Sequence, residues 1–283
     1  MKTIAYQGVK GAFSYMTAIL QFGEGNTFSG LSTFKEVFEM VENGKADYAV
    51  IPIENSLIGS IYENYDLLNI YEMQIVGEHF TKIEHCLLGT ANVSMHKEER
   101  IKTIKKVLSH PKALEQCSCF FQKHPWIEAV VHMDTAAAAE EIASKNDPAY
   151  AAIASANAGE IYGLEILEKG IEDDPMNYTR FVTISKVKLF DDKTDKCSLM
   201  MQLNHVPGAI VDVLKKFADQ QINLTKIESR PLRGSPFEYL FYADLEFIGK
   251  KPETVEELLN GLCSKVQKIK ILGFYRKGTS WIS

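Results

Sequence analysis

The sequence contains no uninterrupted apolar run of the ~18 residues that a bilayer-spanning helix needs. Its amino terminus, Met-Lys-Thr-Ile-Ala-Tyr-Gln-Gly, lacks the apolar core and small-residue cleavage site of a secretory signal. The cytoplasm is therefore the expected compartment. Cysteine is scarce and unpaired in pattern: Cys86, Cys117, Cys119, Cys197 and Cys263 make an odd five, with no Cys-x-x-Cys and no paired histidines nearby. That argues against a disulfide framework and against a zinc site, and leaves reduced, mostly buried thiols. Positive charge is not in excess, the net being −6, so a partner held by phosphate neutralisation is not expected. The early Gly8-x-x-Gly11 lacks the G-x-G-x-x-G order of a dinucleotide fingerprint.

What remains is an ordinary globular composition, 46% hydrophobic and 24% charged over 283 residues. At roughly 150 residues per domain that length suggests about two domains. Charge divides unevenly. Residues 196–283 carry 13 Lys and Arg against 9 Asp and Glu, a net of +4, so the remainder carries −10.

The first half alternates strand and helix signals. Thr3–Gln7 reads as a strand, followed by a helix from about Ser14 (a possible N-cap) to Phe22. Thr33 caps a second helix with Val37, Phe38 and Val41 on its apolar face and Gly44 as its stop. Tyr48–Ile53 is the next strand. In the middle, Lys82–Gly89, Lys106–Leu108, Glu128–Val131 and Tyr150–Ala154 read as strands, Pro111–Lys123 and Thr135–Ala143 as helices, with a further helix ending near Gly159. Such spacing indicates βαβ units and parallel pairing. After the polar Asp191–Asp195 the order is strand 197–203, helix 210–218, strands 223–229 and 239–247, helix 255–262 and strand 266–275, the βαββαβ ferredoxin-like plan.

Four stretches stand out chemically. Ile53-Glu54-Asn55-Ser56 lies at the carboxyl end of an apolar strand, where open α/β sheets bind ligands; Asn55 or Ser56 would serve equally as a helix cap. Ser109-His110-Pro111 opens a helix with Gln116 in its second turn. Asn177-Tyr178-Thr179-Arg180-Phe181 sets a hydroxyl beside a guanidinium suited to a carboxylate, or to an ion pair with Asp173 or Asp174. Asn204–Val211 is a strand-to-helix turn, and Glu228-Ser229-Arg230-Pro231 ends the following strand.

Together, Pro52–Ser56, Ser109–Pro111, Thr179–Phe181, Gly208-Ala209-Ile210-Val211 and Glu228–Pro231, in this order and with Ile222–Ile227 before the last, resemble the signature blocks of the prephenate dehydratase family. The resemblance implies an α/β, two-lobed, periplasmic-binding-protein-like catalytic domain over 1–188 (lobe one about 1–77 and 164–188, lobe two about 78–163), a linker at 189–195, and an ACT regulatory domain over 196–283. It implies prephenate as substrate and Thr179 as proton donor. Glu54, Asn55, Ser56, Ser109, Gln116, Arg180 and Phe181 become candidate substrate-binding residues. Phenylalanine is the implied effector, held by Asn204, Gly208, Ala209, Ile210, Val211, Glu228, Ser229, Arg230 and Pro231, with a homodimer or homotetramer expected. Neither a metal nor an organic cofactor is implied, and no chorismate-mutase segment is expected before the strand at Thr3. The chain departs from the family pattern at Val9, Ala12, Lys112 and Ile210, of which Lys112 adds a cation. An arogenate dehydratase and a non-catalytic amino-acid sensor are the competing readings.

Overall fold

Short strands with apolar residues on both sides need cover on both faces, and in parallel pairs the crossover helices supply it. The computed structural model describes residues 1–91, 94–232, 238–262 and 266–278; Cys263 lies outside them. The first sheet begins with β1 (Thr3–Gln7), α1 (Phe13–Phe22), β2 (Thr27–Leu31), α2 (Phe34–Glu42) and β3 (Tyr48–Asn55), with β1 parallel to both β2 and β3. Ile4 and Val50 pack with Ala18 of α1, which fixes that helix on the sheet. A two-residue β4 (Gly59–Ser60), α3 (Tyr62–Ile70) and β5 (Gln74–Lys82) follow.

The second sheet comprises β6 (Cys86–Gly89), β7 (Lys106–Ser109), β8 (Glu128–Val131), β9 (Tyr150–Ala154) and β10 (Glu165–Lys169), ordered β10-β6-β9-β7-β8. Its helices are α4 (Lys97–Thr103), α5 (Pro111–Gln116), α6 (Ser118–Lys123), α7 (Thr135–Lys145) and α8 (Ala156–Tyr162). Strand alternation sends Leu88, Leu108, Ala152 and Ala154 to one face and Leu87, Val107, Ala151 and Ile153 to the other. The alanines of α7 do more than favour a helix, since Ala136, Ala138 and Ala139 are wholly buried against the first of these faces. From β10 the chain returns as β11 (Tyr178–Ser185), giving the first sheet the order β2-β1-β3-β11-β5, with β4 paired to β3.

The third sheet is built from β12 (Lys196–Leu203), α9 (Ala209–Asp219), β13 (Asn223–Pro231), β14 (Tyr239–Glu246), α10 (Pro252–Gly261) and β15 (Val266–Tyr275). Its order β13-β14-β12-β15 is antiparallel at every pairing, the ferredoxin-like arrangement. Leu199, Val213, Phe217, Leu245 and Leu259 form its core. The chain separates into two compact units, 1–64 with 80–181, and 65–79 with 182–283. Within the second unit, residues 65–79 pack on the sheet: Lys196 reaches Glu78, and Lys270 donates to the carbonyls of Leu68, Asn69 and Tyr71. A Cβ on Gly273 would lie 2.1 Å from the Ile75 carbonyl oxygen, so that approach requires glycine. Among the described residues no helix is long and apolar enough to cross a membrane.

Several local expectations are corrected. Ala12, not Ser14, stands at the N-cap of α1: the chain enters the helix directly after the Gly11 turn, earlier than expected, and Ser14 lies inside the first turn. No helix starts at Ser56; a tight turn leads to β4, and the helix begins at Tyr62. The segment Lys82–Gly89 is not one strand but the end of β5 and all of β6. Pro111–Lys123 is two helices, since Asp173 accepts from the backbone N–H groups of Ser118 and Cys119 and starts α6 afresh after Cys117. Helix α4 and strand β10 had no counterpart in the sequence reading.

Candidate functional site

Parallel strands deliver their carboxyl ends to one edge of a sheet, and the following helices begin there. In the first unit this produces a cavity of ≈ 520 Å³. Gln7 at the end of β1, Ser32 and Thr33 after β2, Asn55 at the end of β3, His110 after β7 and Asp134 after β8 all contribute to its wall. Because β6 runs antiparallel to β9, His85 just before β6 reaches the same edge. The first turns of α1, α2, α5 and α7 open onto the space through Phe13, Ser14, Phe34, Lys112, Ala113 and Thr135. Neither α1 nor α7 has an acid in its first turn, and α1 has no side-chain cap, so its leading N–H groups are suited to an anion. Apolar cover comes from Ile58, Ile61, Ile83 and Phe181.

The hydrogen bonds around Thr179 define a direction for its proton. Asn55 Oδ1 accepts from the backbone N–H groups of Leu57 and Ile58, each at 3.0 Å, which fixes the orientation of the amide. Its Nδ2 must then face the other way, and its two hydrogens serve three acceptors, one hydrogen being shared: Asn177 Oδ1 (2.8 Å), the Tyr178 carbonyl (3.1 Å) and Thr179 Oγ1 (3.0 Å). Thr179 Oγ1 is an acceptor in that bond. Its own hydrogen has no acceptor among the described residues, and Thr179 lines the cavity. Residues more than a hundred positions apart in sequence are thus joined into a hydroxyl held as a donor toward the space.

On the second sheet, Gln116 Oε1 lies 3.0 Å from His85 Nε2. An amide oxygen only accepts, so the proton sits on Nε2, and the Gln116 amide N–H groups remain available. His85 Nδ1 is buried with no partner among the described residues. Burial lowers the pKa of His85, opposed by the Gln116 bond and by Glu172; burial also lowers those of His110 and, in the second unit, His79. The unfolded chain therefore binds more protons than the native one below the ordinary histidine value of 6.5. Stability should be flat well above that value and fall as pH drops through it, until the lowered native value of each histidine is passed. Urea unfolding at pH 7.5, 6.5 and 5.5 measures this; equal midpoints at the two extremes would contradict it.

Of the sequence-predicted residues, Asn55, Gln116, Thr179 and Phe181 meet in the cavity wall. The others are placed elsewhere. Arg180 points away, 3.5 Å from Glu54, and neither lines the cavity. Ser56 Oγ donates to the Met176 carbonyl and accepts from the Tyr178 N–H, tying the turn after β3 to the start of β11. Ser109 is wholly buried and donates to the Ile153 carbonyl at 2.6 Å, cross-linking β7 and β9. Sequence reasoning did not pick out His85, which reads there as one histidine in an apolar run, or Asp134, which caps α7.

A second cavity of ≈ 400 Å³ lies in the other unit, around the turn from β12 to α9. Asn204, Gly208, Ala209 and Ile210 line it with Glu238, Tyr239, Phe241 and Gln267. Gly208, with φ of 82°, supplies the left-handed turn residue that starts α9. Val211 is exposed outside it. Glu228, Ser229, Arg230 and Pro231 are not among the lining residues; they lie on the neighbouring edge strand β13, where Ser229 pairs with Phe241 and Pro231 with Tyr239, with Glu228 ion-paired to Lys226 and Arg230 to Asp66.

Comparison with known proteins sets this geometry in context. A family model described as prephenate dehydratase matches residues 4–189. "Arogenate dehydratase/prephenate dehydratase 2, chloroplastic" of Arabidopsis thaliana is 39% identical, over 99% of this chain and 74% of its own length. "Bifunctional chorismate mutase/prephenate dehydratase" of Escherichia coli K12 is 36% identical, over 96% of this chain and 70% of its own length. Among solved structures, prephenate dehydratase from Arthrobacter aurescens in complex with L-Phe superposes with a TM-score of 0.83 at 28% identity, covering 97% of this chain and 90% of that one. A quorum-quenching acylase, GqqA, gives the same TM-score at 32% identity, covering 97% and 98%.

Proposed function

Because the chain belongs to the prephenate dehydratase family, we propose that it converts prephenate to phenylpyruvate, with loss of carbon dioxide and water, in phenylalanine biosynthesis. The observation that carries this is the Asn55–Thr179 hydrogen bond, which leaves the threonine proton to the cavity. Prephenate is a cyclohexadiene with a ring hydroxyl, a ring carboxylate and a pyruvyl carboxylate. Breaking the carbon–carboxylate bond sends its electron pair into the ring, and the C–O bond to the hydroxyl breaks with that group's own pair. The ring becomes aromatic and no electron leaves the substrate, so the step balances without a redox partner. Hydroxide leaves poorly, and Thr179 supplies the proton that lets it depart as water. A threonine hydroxyl is a weak acid; aromatisation provides the drive, and the Asn55 bond to Oγ1 stabilises the charge that develops there.

The first unit's excess of acidic residues would repel a dianion at long range, so attraction must come from within the cavity. The leading N–H groups of α1 and the amide of Gln116 serve the pyruvyl carboxylate. The apolar wall of Ile58, Ile61, Ile83 and Phe181 favours decarboxylation, because a carboxylate poorly solvated there loses charge on leaving as carbon dioxide. Arg180 and Glu54 support the strands that carry Thr179 and Asn55. The test is phenylpyruvate formation from prephenate by the purified chain, which should be enzymatic; absence of turnover by folded protein would sink the reading. Arogenate, which differs by an amino group on the side chain, is the second substrate to assay, given the Arabidopsis relative.

Control by phenylalanine belongs to the same proposal, with the ferredoxin-like unit as an ACT domain and the ≈ 400 Å³ cavity as its effector site. An effector shifts activity only by its differential affinity for two states. L-Phenylalanine should bind by calorimetry and alter turnover, and Gly208→Val, a β-branched residue strained at the left-handed φ of this turn, should abolish both effects while basal turnover stays. A dimer or tetramer, and a cytoplasmic location, complete the reading. Phenylalanine without heat or kinetic effect would remove the regulatory part alone.

A further inference from the structure

Lys112 sits where its own helix disfavours it. It is the second residue of α5, and a cation in a first turn opposes the helix macrodipole. Its ammonium bonds Glu115 Oε2 at 2.9 Å, but a lysine preceding its acid is the less favourable order along a helix. Local helix energetics therefore give a lysine here only the weak support of the Glu115 pair, and departures of this kind concentrate at functional positions. The side chain is half exposed and lines the ≈ 520 Å³ cavity one helical turn from Gln116. Among the described lining residues it is the one lysine or arginine, set against the carboxylates of Glu63 and Asp134. His85 and His110, the lining histidines, are both shifted toward their neutral forms by burial.

We infer that Lys112 sets substrate preference, favouring the keto-acid side chain of prephenate over the ammonium-bearing side chain of arogenate. The inference rests on the dehydratase reading above. Both compounds carry the same two carboxylates and the same leaving hydroxyl; they differ at one carbon, C=O in one and C–NH₃⁺ in the other. The hydroxyl and the side chain are on opposite carbons of the ring. A substrate that presents its hydroxyl to Thr179 turns its side chain away from β3 and β11, toward the wall built by Gln116 and Lys112. A keto oxygen and carboxylate are attracted by the ammonium of Lys112, whereas a second ammonium is repelled. At a site in contact with water the effective dielectric is high, and a single such contact changes a ratio of specificities by about tenfold.

The experiment is kcat/KM for both substrates on wild type, Lys112→Gln and Lys112→Glu, without phenylalanine, with thermal melting to confirm folding. Wild type should prefer prephenate. Lys112→Gln should lower the prephenate-to-arogenate ratio by about tenfold, chiefly through a higher KM for prephenate, and Lys112→Glu should lower it further. An unchanged ratio overturns the inference, whether both rates fall together (a non-selective anchor for carboxylates) or neither moves, and so does a wild type that prefers arogenate. Each of those outcomes leaves the dehydratase reading standing. Turnover of neither substrate by wild type would overturn both.

Discussion

Thr179→Ala should lower turnover of prephenate by about 10²- to 10⁴-fold, the range typical of losing a positioned proton donor, while the protein keeps its fold. The side chain is buried but small, and among the described residues its hydroxyl makes one bond, from Asn55. Loss should appear in kcat more than in KM, because the proton is needed when the C–O bond breaks and little before. Thr179→Ser should retain much of the activity, and Thr179→Val, equal in shape, should behave like alanine. Asn55→Asp separates orientation from presence. An aspartate still accepts from Leu57 and Ile58 and so preserves the turn, but it has no N–H for Thr179. The threonine would then donate its hydrogen to the aspartate instead of the substrate, and turnover should fall nearly as far as in Thr179→Ala. A Thr179→Ala enzyme within a few fold of wild type would remove this residue from the chemistry.

The parts of this architecture that rest on local pattern could be read from the sequence. The βαββαβ order of the last sheet follows from period-two strands separated by amphipathic helices, and the Thr33 capping box announces α2 from four residues. Thr179, Asn55 and Gln116 could be chosen as candidates because they fall in short motifs that resemble those of the family, and all three line the cavity. Which residues face the cavity was partly legible and was missed: period two alone puts Thr179 and Phe181 on one side of β11 and Arg180 on the other. What no local pattern carries is pairing across the chain. Nothing near Asn55 announces that Thr179, 124 positions on, will accept its hydrogen bond. Nor does a histidine in an apolar run reveal that Gln116 will hold its Nε2. The break of α5 from α6 is of the same kind, since its cause is Asp173, far along the chain.

The buried ion pair of the second unit yields the largest expected effect on stability. Lys196 Nζ lies 3.1 and 2.9 Å from the two oxygens of Glu78, and the Gly278 N–H donates to the same carboxylate at 2.9 Å. The Glu78 side chain is wholly buried and that of Lys196 almost so. Lys196→Met removes the cation and leaves the buried carboxylate less well compensated, and breaking a buried pair by removing one partner costs about 3–5 kcal/mol. Replacing both residues, as in Lys196→Met with Glu78→Leu, removes the penalty along with the attraction, and should recover most of the loss. Urea unfolding followed by circular dichroism compares the variants, and amide exchange in β12 and β14 locates the effect in this sheet. Substrate turnover provides the contrast: the pair lies in the unit without the Thr179 cavity, so Lys196→Met should lose stability well before it loses kcat. A single variant as stable as wild type would show that the carboxylate is satisfied without its lysine. A double variant as unstable as the single one would show that packing, rather than charge, is what Lys196 contributes.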